Sequence, residues 1–312
     1  MRYSGIGGQA VIEGVMMRNR DKYALAVRLP NNEIKVDVHQ EKTDVEKYAK
    51  IPVVRGIVSF IHSLTIGLGS LSKAASYFDE EEGEKKELTE EEKKKKEKKD
   101  KAEMGGTLLL SFVLALAVFM VLPYYLSTLF SKIIPSESVV ILIEGIIRVL
   151  IFLAYVILIS QMEDIKRVFM YHGAEHKCIN YIESGLELNV ENVRKSSRQH
   201  KRCGTSFLFV VLIISVLVFM FIRMDSHILR VLCRLLLVPL IAGISYEFIR
   251  LAGRTENPII NALSYPGLLV QKITTREPDD SMIEVGIASV EAVFDWKKFQ
   301  EEDKDSDCEF TG

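Results

Sequence analysis

Apolar residues in this chain are gathered into long, nearly unbroken runs. Thr107–Phe130 reads TLLLSFVLALAVFMVLPYYLSTLF, and Ser138–Ser160 reads SVVILIEGIIRVLIFLAYVILIS. Thr205–Ile222 reads TSFLFVVLIISVLVFMFI, and Ile228–Ile249 reads ILRVLCRLLLVPLIAGISYEFI. A bilayer core needs about 20 consecutive apolar residues in a helix. A helix of a soluble domain keeps a polar face, and these runs are too uniformly apolar for that. Four transmembrane helices are expected. The loops SKIIPSE and RMDSH, between the first and second runs and between the third and fourth, are short. The segment between the second and third holds Lys166, Arg167, Lys177, Arg194, Lys195, Arg198, Lys201 and Arg202. An excess of Lys and Arg marks the cytosolic side. With an even number of spans, both termini are then expected in the cytosol of a multi-pass protein of the bacterial cytoplasmic membrane.

The remaining segments follow other periods. In residues 1–50, YALAVRL and EIKVDVHQ alternate, with PNN between them as a turn signal, which predicts a hairpin over about Tyr23 to Gln40. Residues 51–78 are apolar but interrupted by Arg55, His62 and several glycines. That pattern predicts an interfacial or re-entrant helix. Residues 79–103 are a mixed-charge linker with almost nothing to bury. Residues 104–160 contain the first two spans, 161–204 a His/Cys/Arg-rich loop, and 205–250 the last two spans. In 251–300, REPDD is a helix-start signal, and Met282, Val285, Ser289, Ala292 and Trp296 fall near one face of the amphipathic helix it opens. The tail, 301–312, is polar and expected to be disordered. The fold class is thus mainly α: a polytopic membrane protein with about four transmembrane helices, plus a small cytosolic α+β region from the N- and C-terminal segments.

Charge and cysteine content sharpen this picture. A formal net charge of −2 over 312 residues does not mark a nucleic-acid binder, and direct nucleic-acid binding is not expected. Arg194, Lys195, Arg198, Lys201 and Arg202 form a local basic stripe that would attract anionic lipid headgroups or a protein partner at the cytosolic face. RNA near the membrane would be drawn by the same charge, and a plain topology signal accounts for it as well. The opening residues have no apolar core of the signal-peptide kind. Cys178, Cys203, Cys233 and Cys308 form no close pair, which suits reduced thiols or metal ligands better than disulfides.

The stretch FMYHGAEHKCINYIESG, Phe169–Gly185, carries the candidate chemistry. His172 and His176 are one helical turn apart on one face, a spacing that suits two imidazoles on one ion. Glu175 lies on the same side, giving H-x-x-E-H, in which the glutamate activates water. Downstream, His200 and Cys203 in SSRQHKRCGTSF also share a helical face. Four ligands would make a closed structural zinc site, and three with one open position a catalytic one. Glu247, near the end of the fourth run, is a further candidate ligand. Two histidines beside a membrane can also be merely interfacial.

Three other constellations have plainer readings. GIGGQA, Gly5–Ala10, formally matches a dinucleotide fingerprint but lacks the preceding strand. A tight turn bringing backbone close to something accounts for it better. Glu13 and Arg18 read as a partner-facing or surface pair. Glu144 and Arg148 lie one turn apart inside the second run, where charges pair or line a polar pathway. Arg230 and Arg234 are placed to snorkel.

In this order, GGQAVIEGVMMR, YHGAEHK, HKRCGTSF, EFIRLAGR and PGLLVQKITTREPDD resemble the YqhQ-like family of bacterial membrane proteins, over nearly the whole chain. The resemblance implies an integral membrane protein of a family of unknown function, labelled a predicted metal-dependent enzyme. It implies no substrate. Two functions therefore stand open. One is a metal-dependent hydrolase acting on a membrane-associated substrate, with zinc on His172, His176 and His200 or Cys203 and with Glu175 as general base. The other is a non-enzymatic scaffold or assembly factor, associated with membrane-protein biogenesis or with a ribosome or translocon, whose structural metal clamps the loop. Either could act as a homo-oligomer.

Overall fold

A computed structural model describes residues 3–41, 48, 50–82, 103, 105–222, 226–255 and 257–301. Most of the expected charged linker and the expected C-terminal tail lie outside the described residues. The chain forms two compact units. The first comprises Met1–Asp79, Val156–Val211 and Pro239–Gly312, and the second Glu80–Tyr155 and Leu212–Val238.

The first unit is built on a four-stranded antiparallel sheet in the order β1–β2–β3–β4. Its strands are β1 (Gly7–Val11), β2 (Gly14–Asn19), β3 (Lys22–Arg28) and β4 (Ile34–Gln40). The β3–β4 hairpin occupies the stretch whose alternation predicts it. β1 and β2 were not legible, because GGQAV and GVMMRN carry too few alternating polar residues to mark a strand. Glu13, φ +49°, and Arg20, φ +55°, turn the two tight connections. Glu13 and Arg18 do not pair with each other. Glu13 receives Arg167 in an ion pair and Tyr171 Oη at 3.3 Å, while Arg18 Nε donates to Arg20 O at 3.0 Å.

Successive strand residues point to opposite faces, and here both faces are covered. Val11, Met16, Leu25 and Val27 pack with Ile66 and Ala74 of helix α1 (Val54–Glu82). Asp37 on β4 ties the same helix down, with Lys73 Nζ at 2.8 Å and Tyr77 Oη as its partners. On the other face, Val15, Met17, Ala24 and Ala26 join a larger core. Tyr171, Ala174, Cys178, Ile179 and Ile182 of α4 (Glu163–Glu183) enter it from one side. Met282, Ile283, Val285, Val290 and Val293 of α9 (Asp280–Val293) enter from the other. Asp279 caps α9 by accepting the Met282 N–H. Ser289, at the centre of that core, accepts the Met17 N–H and donates to Ala24 O, each at 3.0 Å.

Among the described residues, four helices are long and apolar enough to cross a membrane: Val54–Phe78, Gly105–Ser131, Glu137–Ile159 and Ile228–Ala252. They belong to α1, α2 (Gly105–Ser131), α3 (Glu137–Ile159) and α7 (His227–Ala252). α2 carries a π-type turn over Ala117–Val121. The third apolar run forms α6 (Gly204–Phe219), 16 residues long and shorter than expected. Met220 still bonds four residues back, to Val216 O at 3.1 Å, and the chain then tightens, with Phe221 N–H to Val218 O at 3.2 Å and Ile222 N–H to Phe219 O at 3.1 Å. Hydropathy does not report where an α-helix tightens at its end. Two further helices are α5 (Val190–Arg194) and α8 (Pro258–Thr274).

Ser289→Ala removes a buried hydroxyl that serves two strand groups. A loss of about 1–3 kcal/mol is expected, measured as a lower thermal midpoint in detergent.

Candidate metal centre

α4 presents a polar stripe on the side away from the sheet core. His176 is 1% exposed, Glu175 4%, Asn180 6% and Glu183 8%. Polar side chains buried this deeply require partners, and segment 194–203 supplies them. Asn180 Nδ2 donates to Ser197 O at 2.7 Å and Gln199 O at 2.9 Å. Lys177 Nζ donates to Arg194 O at 2.7 Å, and His176 Nδ1 meets Arg198 O at 2.7 Å. From the other side, Gln271 of α8 holds His200 by both its backbone N–H, at 2.9 Å, and its carbonyl, at 2.8 Å. The segment is thereby laid along α4 with Cys203 beside the histidines.

His172 is oriented by a second connection. Its Nδ1 meets Thr274 O at 2.9 Å. That approach depends on Gly173, where a Cβ would lie 2.1 Å from Arg276 O. The spacing of His172 and His176 puts their rings 4.4 Å apart. A carbonyl oxygen can only accept, so both Nδ1 atoms carry protons. Both Nε2 atoms are then left for a common target. His172 Nε2 is 3.2 Å from Cys203 Sγ, and one ligand atom from each of His172, His176 and Cys203 lies within 4.8 Å of the others. This is the outer-shell arrangement that orients metal-ligating imidazoles. Two nitrogens and a sulfur suit zinc or another borderline-soft divalent ion.

Cys203 sits at the cap of α6, where its carbonyl accepts the Phe207 N–H at 3.1 Å and its sulfur accepts the Thr205 N–H at 3.4 Å. Burial alone would raise the thiol. The facing His172 and His176 outweigh it and hold the thiol well below its ordinary value of 9.0. Burial likewise disfavours the imidazolium forms, but the Cys203 thiolate overrides it, raising His172 and bringing His176 to about 9. A helix N-terminus beside two cationic rings is where a thiolate is stable. Glu175 completes the group, with Oε2 3.4 Å from His176 Nε2 and 4.0 Å from His172 Nε2. Gly8 of β1 passes directly over this carboxylate, and a Cβ there would lie 2.7 Å from Glu175 Cγ. The glycine-rich opening therefore does bring backbone close to something, but as a strand rather than a turn.

The other candidates are held elsewhere. His200 turns to Glu183, with Nε2 3.6 Å from Oε2, while Arg202 and Ser4 bond the other carboxylate oxygen. Glu247 clasps the start of α1, taking Arg55 Nε at 2.7 Å and the Val53 N–H at 3.3 Å. Cys178 is buried against Gly286, its thiol pushed up by burial and by Glu175. Of the basic stripe, Arg194 pairs with Asp280, Lys195 with Glu191 and Arg202 with Glu183. Arg198 contributes a backbone carbonyl, and Lys201 is half-buried beside His200. Asn180, Glu183, Thr274 and Gln271 were not identified from sequence. The first two share the helical face of His176, which was a usable signal. The last two lie on a distant helix, and no local pattern ties them to the histidines.

Glu183 supplies a pH test. Burial alone would raise its carboxyl, but His200, Arg202 and Ser4 bring it down to about 2 from an ordinary 4.5. A depressed carboxylate stabilises the fold above its unfolded value and loses that contribution as pH falls toward the folded one. Stability of the detergent-solubilised protein should therefore decline between about pH 4.5 and 2. In Glu183→Gln that part of the decline should be absent, as read by circular dichroism.

A family model described as "Protein of unknown function (DUF1385)" matches residues 51–296, a range that holds the whole His/Cys group. The "Uncharacterized protein YqhQ" of Bacillus subtilis (strain 168) is 35% identical over 288 residues, covering 91% of this chain and 90% of that protein. No solved structure matches. With most of its length matched by the family model and nearly all of it by that relative, the chain belongs to the DUF1385 family, whose function is not known.

Proposed function

We propose that this is a membrane-embedded, zinc-dependent hydrolase whose metal ligands are His172, His176 and Cys203. One observation carries the reading: both imidazoles give Nδ1–H to backbone carbonyls, so both Nε2 atoms are free to face the Cys203 sulfur. Zinc on two nitrogens and one thiolate keeps a position for a further ligand and supplies Lewis acidity there. Glu175, buried next to both Nε2 atoms, is the residue placed to take and return a proton at that position. His172 and His176 must lose their Nε2 protons to bind, so affinity falls as pH falls.

The substrate class follows from position. Cys203 immediately precedes the apolar helix α6, and α4 begins a few residues after α3 ends. The centre thus lies in chain that adjoins apolar helices at both ends. The clustered Lys and Arg of the same segment argue for the cytosolic side of the bacterial membrane. A lipid-linked molecule or a membrane-protein segment fits such a site better than a freely soluble one.

The burial of the group favours a second reading, in which the metal is structural. His176 and Cys203 are 1% and 5% exposed, and β1 covers Glu175. A closed site would clamp segment 194–203 and make the first unit a docking scaffold for a partner at the cytosolic face.

Elemental mass spectrometry on protein purified without chelators should find about one zinc per chain. His172→Ala and Cys203→Ala should lose it, and Glu175→Gln should keep it. Cobalt-substituted protein then separates the two readings. A visible spectrum that responds to added azide supports an open, catalytic position, and an unresponsive one supports the clamp. Absence of metal from the wild-type protein would overturn both.

A further inference from the structure

The second unit contains a charge cluster that is unbalanced. Glu144 of α3 is 3% exposed, Arg148 of α3 is 4% and Arg234 of α7 is 1%. Glu144 Oε1 accepts from Arg148 Nη2 and from Arg234 Nη1, both at 2.6 Å. Arg234 therefore does not snorkel to the surface but turns into the interior. Arg148 Nη1 also donates to Ser215 Oγ of α6 at 3.1 Å.

Those three hydrogen bonds are all that the two guanidiniums make among the described residues. Arg148 Nε and Arg234 Nε are buried with no partner. Each guanidinium has five N–H donors and no acceptor, so most of the donors are unused. Phe219 lies 4.9 Å from the Arg234 guanidinium and 5.2 Å from that of Arg148, and Tyr124 lies 5.5 Å from Arg234. Aromatic faces attract cations but offer no lone pair for an N–H in the guanidinium plane. Two cations share one carboxylate, which leaves an excess positive charge within apolar helices. An uncompensated charge there is costly. The missing component is an anion with several acceptor oxygens.

We propose that Arg148 and Arg234 form a binding site for a phosphate group, with Glu144 holding the two guanidiniums in position. Phosphate matches the planar fork of N–H donors and can accept from several at once. Ser215, Glu144 and Arg234 sit about one to two turns from the helix ends at Phe219, Glu137 and His227, and Arg148 lies about one turn further in. Leu142, Ile146, Leu229, Leu232 and Leu236 of the same helices are exposed and apolar, so an amphiphile reaches the unit more readily than a free ion. The expected source is an anionic phospholipid headgroup, with soluble phosphate sharing the same chemistry. This site is separate in residues and in chemistry from the His/Cys group.

The test is native mass spectrometry of the full chain in detergent, titrated with phosphatidylglycerol, phosphatidylcholine or inorganic phosphate. One tightly held phosphatidylglycerol is expected. Arg234→Met should weaken it on the order of tenfold, the scale of a lost charge-assisted hydrogen bond. Lys166→Met, a surface change in the other unit, should not. Glu144→Gln separates binding from misfolding: the amide oxygen still accepts from both guanidiniums, as Oε1 does, while loss of the competing charge should strengthen retention, whereas a folding defect would weaken it. Tight binding of inorganic phosphate without the lipid would uphold the site and assign its source to soluble phosphate. No retention of either ligand by wild type, or equal retention by wild type and Arg234→Met, would overturn the proposal.

Discussion

The buried polar face of α4 is the constraint on which the first unit turns. His176, Asn180, Lys177 and Glu183 sit on a helix whose opposite side is taken up by the sheet and by α9, so none of them can be left to water. Each takes a partner from segment 194–203, and three of those partners are reached through backbone carbonyls. The requirement that buried polar groups be hydrogen-bonded therefore dictates the path of an otherwise irregular stretch of chain. Gln271 does the same from α8, gripping the His200 backbone on both sides. Cys203 reaches the histidines as a consequence.

The same constraint explains why the centre is chemically specific. Had the imidazoles been free to rotate, their facing nitrogens would have had no defined protonation. Thr274 O and Arg198 O remove that freedom, one on each ring. The sulfur is held by a helix N-terminus and by the two rings together. Glycine at 173 and at 8 is what lets backbone approach close enough, at the first for His172 and at the second over Glu175. In the second unit the rule is only partly met. Glu144 accepts one donor from each of two arginines and Ser215 a further one from Arg148, while the Nε donors of both arginines are buried with no partner.

Legibility followed the range of the interactions. The apolar helices were plain because hydropathy is a property of the run itself, needing no knowledge of neighbours. The β3–β4 hairpin was plain for the same reason, through alternation and a turn. β1 and β2 were hidden because glycine and methionine carry little strand signal. His172 and His176 were legible as a pair, since one turn of helix places them together whatever the fold.

What the sequence alone determined is thus local or additive: which stretches are apolar, which connecting segment carries the basic charge, and which side chains share a helical face. The tertiary structure decided which member of H-x-x-C joins the histidines. His200 and Cys203 were equivalent candidates by spacing. Gln271, far along the chain, anchors the backbone so that Cys203 faces His172 while His200 faces Glu183. It likewise gave Glu247 to Arg55 and turned Arg234 inward to Glu144. Each of these choices rests on a contact between residues distant in sequence, and a distance of that kind is set by packing rather than by spacing along the chain.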